Sequence, residues 1–400
     1  MGAVTLAQAS AHAREHAPQI LKARVRTKLG QAEQDAAGLL RYDPVVELGV
    51  GTRLQAGAVG LDAEVSVSQR IELSGQRKAR QEAARRLQML QALGVEVAQW
   101  TVHADVHLAF SNAWLAQEAL SLAEQRRGLA QALQEMTLSK VAAGEESDVT
   151  VALANAEVAW SHNAFIKAEA RVATTRMALA RAVGVADRPL RPRGPATSGP
   201  PIADATRWVV AARERNPQLA RAHAAITLAD AEVTVARRDA RPAPSVGIRV
   251  AREGSTARPG SPSPASNIVM GTLAVPIPAF RRNRGEVARR TAEAQVARTD
   301  HAALVQQLDV VVRTACVRVD AASQRVLRLQ TDVVDAFEDS LAGLQRSYAA
   351  GEQDFVSVAQ SMQRLWTVRE EVLSVRAEYY AALAELELLV GPLESEGGAR

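Results

Sequence analysis

Apolar residues between Gly75 and Lys140 recur at alternating spacings of four and three: Val102, Val106, Ala109, Ala113, Ala116, Leu120 and Ala123. That spacing is the seam of a coiled-coil helix. The stretch contains no proline, so it predicts an unbroken helix of about 65 residues, roughly 95–100 Å at 1.5 Å per residue. Ordinary globular helices average roughly 11–12 residues, so this rod needs partners along its length. Val319, Ala322, Val326, Leu329 and Val333 repeat the seam, and so do Val358, Met362, Leu365, Val372, Val375, Tyr379, Ala382, Leu386 and Leu389. The first rod is expected to reverse near Ser139–Asp148 and return through Val183. The second is expected to run unbroken from about Asn283 to Ala350, turn at Gly351 and return from Asp354 to Val390.

Before each rod the period changes from 3.6 to 2. Ala63, Val65, Val67 and Ile71 alternate with Glu64, Ser66, Ser68, Arg70 and Glu72; Val46, Leu48 and Val50 face away from Glu47; and Val269, Leu273, Val275 and Ile277 alternate with Met270, Thr272 and Ala274. Two β-hairpins are expected, at 44–73 and 244–277. The strands run about ten residues, the length that crosses the hydrocarbon band of a bilayer when tilted. One apolar and one polar face suits a water-filled barrel wall. Four strands cannot close a barrel, and open edges do not occur in lipid, so several copies must share one wall or the hairpins form a small soluble sheet.

The pattern occurs twice. Ala13-Arg14-Glu15-His16-Ala17-Pro18-Gln19 is answered by Ala212-Arg213-Glu214-Arg215-Asn216-Pro217-Gln218, and Ala142-Ala143-Gly144-Glu145 by Ala349-Ala350-Gly351-Glu352. Two tandem copies follow: 1–186, with a broken helix, the hairpin and a coiled-coil hairpin at 75–184; a linker at 187–203; 204–392, with the same parts and a coiled-coil hairpin at 282–390; and a tail at 393–400. The fold class is mainly α with a small β part.

Aromatic residues are 4% against 47% hydrophobic, a composition of closely packed Ala, Leu and Val helices. A net charge of +4, with both signs interspersed, gives no reason to expect a nucleic-acid partner. Cys316 is the one cysteine, so no internal disulfide exists, and its valine neighbours mark it as a core residue. No apolar run reaches 18 residues, so no transmembrane helix is expected. Met1-Gly-Ala-Val-Thr-Leu has neither the basic start nor the apolar core of a secretory leader.

No catalytic pattern survives inspection: there is no phosphate-cradling glycine loop, no His-Glu-x-x-His and no nucleophile elbow. His103 and His107 stand at i, i+4, yet no Cys, Asp or Glu occupies another fitting position and Asp105 points elsewhere on the helix. The pair reads as solvated or at the seam edge, and neither metal nor cofactor is assigned.

The passage Val67-Ser68-Gln69-Arg70-Ile71-Glu72-Leu73-Ser74-Gly75-Gln76-Arg77 and its counterpart Val275 to Gly285, with both glycine tips and Asn216-Pro217, resembles the TolC-type outer-membrane efflux factors, nearest their cobalt–zinc–cadmium (CzcC-like) branch. The resemblance spans about residues 4–392 and rests on the order and duplication of weak motifs. It implies a homotrimer whose twelve strands form an outer-membrane barrel above an α-helical tunnel. It also implies a passive exit duct for metal ions or drugs in a tripartite pump, partnered by a periplasmic adaptor and an inner-membrane RND-type transporter. A leader upstream of Met1 is then expected.

In that scheme the barrel strands carry Val65, Val67, Ile71, Leu273, Val275 and Ile277. The tips that dock the adaptor carry Gly144, Glu145, Tyr348, Gly351 and Glu352. Family members carry aspartate rings just past the second tip; here those places hold Ser357 and Gln360, leaving Glu352 and Asp354 to supply charge to a periplasmic gate. Arg77, Lys78, Arg281, Arg282 and Arg284 would meet outer-membrane lipid headgroups at the barrel–rod junction. The alternative is a soluble coiled-coil scaffold.

Overall fold

The structure, a computed structural model, describes residues 2–55, 58–185, 188–194, 204–255, 264–277, 283–334, 343–344 and 346–393. In chain order its elements are β1 (Ala3–Val4), α1 (Leu6–His16), α2 (Pro18–Gly38), β2 (Val45–Gln55), β3 (Ala58–Arg70), α3 (Gln76–Ala142), α4 (Asp148–Val183), β4 (Arg191–Pro192), α5 (Ala205–Arg215), α6 (Pro217–Asp239), β5 (Ser245–Glu253), β6 (Ser266–Ala274), α7 (Arg284–Arg328), a π-helical segment Leu329–Val334 and α8 (Phe355–Val390). Of the expected linker and tail, residues 187, 195–203 and 394–400 lie outside the described residues.

Local chemistry explains the breaks. Pro18 and Pro217 open α2 and α6, where a missing N–H costs nothing because the first turn has no acceptor for it. Thr5 caps α1: its hydroxyl accepts from the Gln8 amide while the Gln8 side chain accepts from the Thr5 amide. Asn216 is buried between α5 and α6; its Oδ1 accepts from Gln218 N at 2.8 Å and its Nδ2 donates to Leu389 O at 2.9 Å.

Contacts group the chain into two compact units, each drawing on both halves of the sequence. One lies within Met1–Arg24, Val95–Gln218 and Leu304–Arg400. In it β1 pairs in parallel with β4, and Ala9, Ala13 and Ile20 pack with Val102, Val106 and Phe110 of α3 and Leu179 and Val183 of α4. A second core joins Leu133 and Ala154 to Tyr348, Phe355, Val358, Met362, Leu365 and Trp366. The buried face of α8 follows its apolar spacing, except that Tyr380 rather than Tyr379 and Val390 rather than Leu389 are buried. Cys316 is buried, which pushes its thiol pKa up and keeps it inert.

The other unit, Val25–Gly94 and Leu219–Ala303, carries the sheet. Both hairpins join one antiparallel sheet in the order β2-β3-β5-β6. The expected strands ran too far. Ile71 lies one residue past β3, although its N–H still donates to Pro244 O at 2.8 Å. Val275 and Ile277 lie beyond β6, which ends at Ala274. Proline at 276 has no N–H for the ladder, so an apolar alternation that continues past it is not strand.

The second outgoing helix is also not an unbroken α-helix. It changes to π geometry at Leu329–Val334, and residues 335–342 lie outside the described residues. The seam spacing reports which face is buried but not which carbonyl each N–H uses, so it gave no sign of the change.

Candidate functional site: an apolar sheet face and the helix tips

Cross-strand partners share a face, so the register sorts every sheet residue. Val46, Leu48 and Val50 of β2 lie beside Val67, Val65 and Ala63 of β3; Val67 and Val65 lie beside Ile248 and Val250 of β5; and Val250 and Val246 lie beside Val269 and Leu273 of β6. This whole face is bare: Leu48 is 75% exposed, Val50 77%, Val269 70% and Leu273 69%. A contiguous apolar surface of this kind on a monomer marks a buried contact with lipid or another chain.

The opposite face is ionic. Arg53 of β2 pairs with Asp62 of β3 at 3.1 Å and reaches Glu253 of β5 at 2.7 Å; Arg249 stands 3.6 Å from Glu64; and Ser66 donates to Glu47. The strands have 11, 13, 9 and 9 residues. Both edges, β2 and β6, are open.

At the foot of the sheet two arginines are already engaged. Arg77 donates to the Gly38 carbonyl at the end of α2, where a cation complements the helix dipole. Arg80 forms a two-pronged ion pair with Glu72, one arm at 2.9 Å, and these bonds hold the Glu72 carboxyl below its usual range. Lys78 and Arg284 are exposed, and Arg284 lines a hollow of about 1030 Å³ with Arg41, Arg70 and Arg241. Arg281 and Arg282 lie outside the described residues.

The two tips share one construction. At the end of α3, Gly144 N donates to Val141 O and Glu145 N to Lys140 O; before α8, Gly351 N donates to Tyr348 O and Glu352 N to Ser347 O. This is the Schellman pairing, and it needs a left-handed residue, which Gly144 and Gly351 supply at φ +77° and +79°. Glu145 and Glu352 are exposed on the reversals. Asp354 caps α8, accepting from Ser357 N at 2.9 Å and Ser357 Oγ at 2.8 Å, and these bonds lower its pKa. Gln360 is exposed one turn on from Ser357, which is half-buried.

Tyr348 is placed differently from the other tip residues. It is fully buried: its Oη is 3.0 Å from Thr137 Oγ1, and Lys140 Nζ sits 4.6 Å from its ring centre. It therefore joins the two tips rather than facing a partner.

His103 and His107 also stand differently from the solvated pair expected. His107 is 3% exposed, and both face the buried carboxylate of Glu387 on α8. Burial pushes Glu387 up, but the hydrogen bond from His107 and the nearness of both imidazoles outweigh it and hold the carboxyl at about 2. The signal for Glu387 was a carboxylate set in the apolar run Leu386 to Val390, which only a partner elsewhere explains.

Among the described residues no helix is long and apolar enough to cross a membrane. Comparison with known proteins accounts for the architecture. The cobalt-zinc-cadmium resistance protein CzcC of Cupriavidus metallidurans is 24% identical over 321 residues, which cover 80% of this chain and 75% of that protein. The crystal structure of CusC superposes with a TM-score of 0.77 at 14% identity, covering 97% of this chain and 92% of CusC. The outer membrane channel CmeC of Campylobacter jejuni gives 0.77 at 14% identity, over 96% of this chain and 85% of CmeC. The family model for outer membrane efflux proteins matches residues 9–185 and again 208–392. The chain belongs to the outer membrane efflux protein family.

Proposed function

We propose that this chain is one of three identical subunits of an outer-membrane exit duct in a tripartite efflux pump. The single observation that carries the reading is the four-stranded sheet: membrane-length strands, one wholly exposed apolar face, one ionic face and two open edges. Lipid accepts that apolar face only if the edges close. Twelve strands, four from each chain, would close a wall around an aqueous lumen with the ionic face inward.

The duct is passive and no catalytic chemistry is assigned to it. The two family matches and the repeated order of broken helix, hairpin and long helices support two tandem copies. The tips at Gly144, Glu145, Gly351 and Glu352 would receive a periplasmic adaptor, which in turn joins an inner-membrane RND-type transporter. Glu352, Asp354, Ser357 and Gln360 would line the gate. Arg77, Lys78 and Arg284 would lie near the lipid headgroups. A relative named for cobalt, zinc and cadmium resistance favours metal ions as cargo.

The test is expression behind a secretory leader. A heat-sensitive trimer in the outer-membrane fraction and conductance across planar bilayers are expected. A water-soluble monomer without pore activity would overturn the reading in favour of a coiled-coil scaffold.

A further inference from the structure

Three ligating side chains from two helices converge inside the unit that holds the end of α8. His103 and His107 stand one turn apart on α3, and Glu387 faces both; one ligand atom from each lies within 4.8 Å of the others. Glu387 Oε2 contacts His107 Nδ1 and stands 3.6 Å from His103 Nε2. The side chains of His107 and Glu387 are 3% and 4% exposed, and that of His103 is 16% exposed.

We infer that His103, His107 and Glu387 form a site for one divalent cation of the zinc class, fastening α3 to α8. An ion pair alone does not account for the cluster. One imidazole suffices to pair a buried carboxylate, yet a second shares the same helix face. Among the described residues, neither ring nitrogen of His103 nor Nε2 of His107 has a hydrogen-bond partner. Buried polar atoms left in that state are costly. A cation takes up the lone pair that each ring turns towards Glu387, which satisfies His103 Nε2, while His103 Nδ1 and His107 Nε2 carry the protons.

The donor set sets the metal class. Two neutral imidazoles and one carboxylate, with a fourth position for water, form the three-ligand zinc arrangement. Such a set also suits cobalt and nickel, whereas magnesium and calcium require oxygen ligands. Tetrahedral zinc with bonds near 2.0–2.1 Å holds its ligand atoms roughly 3.3–3.4 Å apart, so on loading the His107–Glu387 contact opens, the His103–Glu387 pair at 3.6 Å closes slightly, and no pair within the 4.8 Å limit closes by more than about 1.5 Å. The partial exposure of His103 provides the entry side. Nothing here depends on the duct reading, since three side chains of one chain are enough.

The full chain, purified in detergent, is stripped with a chelator and titrated with zinc chloride against a chromophoric competitor. One zinc per chain is expected in the wild type. Glu387→Gln and His103→Gln should bind at least about tenfold more weakly, and His12→Gln, on α1 where His12 and His16 stack with ring centres 4.1 Å apart, should bind as the wild type does. Cobalt(II) added to the stripped wild type should give the intense visible spectrum of a four-coordinate ion. That spectrum decides the matter even if a substituted chain fails to fold, as judged by far-ultraviolet circular dichroism. Wild-type binding no tighter than in the two ligand variants, or a cobalt spectrum like that of the hydrated ion, would overturn the inference and leave a hydrogen-bonded clamp only. A soluble monomer that binds zinc would overturn the duct and leave this site standing.

Discussion

Gly351 holds φ at +79° in a reversal whose two hydrogen bonds recur at Gly144. A Cβ at Gly351 comes near only the Lys140 ammonium, at 3.9 Å, so the penalty for Gly351→Ala is conformational rather than steric. It should cost roughly 1–2 kcal/mol, read by guanidinium unfolding followed by circular dichroism. Gly128→Ala, inside α3 with open space around it, should instead stabilise by up to about 1 kcal/mol. Glu72 gives a second residue-scale expectation. Its bonds to Arg80 depress its folded pKa below the ordinary glutamate value of 4.5. The stability it contributes is therefore complete above that value and lost as pH falls below it towards the folded pKa. Glu72→Gln should cost on the order of 1 kcal/mol at pH 7, with allowance for solvent screening. The gap between wild type and variant should narrow as unfolding is repeated from pH 5 towards pH 3. A gap that stays constant would show that the pair contributes through packing rather than charge.

At the scale of elements, the sheet separates a lipid-facing wall from a soluble scaffold. Val50 sits at the middle of β2 on the apolar face and is 77% exposed; Ser66 lies on the ionic face of β3. If the apolar face meets hydrocarbon, Val50→Lys should destabilise the inserted state by about 2–4 kcal/mol, and Ser66→Lys by much less. The readout is the amount of heat-sensitive trimer in the outer-membrane fraction. A scaffold in water would tolerate both equally. These strands were legible in the sequence because alternation is a local signal, as were the rods, whose seams repeat every turn or two. The strand ends were misjudged because proline at 276 outweighs the alternation around it. The partners of His107 and Tyr348 were not legible. Glu387 lies 280 residues from His107, and Thr137 lies 211 from Tyr348. Periodicity shows that a face is buried and not which distant helix covers it. Tyr348 consequently looked like a tip residue open to a partner, and His103 with His107 like a solvated pair.

For the whole molecule the sheet edges give a way to count the chains that share the wall. Among the described residues only β2 and β6 have a free edge in this sheet, so closure must bring β2 of one copy against β6 of the next. Glu47 of β2 and Met270 of β6 lie in one cross-strand row on the ionic face. Within a chain three strand spacings separate that row's ends, roughly 14 Å at about 4.8 Å each. A disulfide requires Cα atoms within about 7 Å, so any bond formed between these edges joins two chains. In a Cys316→Ser background, Glu47→Cys is combined in turn with Ser266→Cys, Ile268→Cys, Met270→Cys or Thr272→Cys, because closing a barrel staggers the register by an amount one chain does not reveal. Oxidation in intact cells should trap one of these pairs efficiently, and denaturing gels without reductant should show dimers and trimers and nothing larger. A ladder reaching four would give a sixteen-stranded wall. No cross-link in any pairing would mean that the edges never meet, and the apolar face would then need some cover other than lipid around a closed ring.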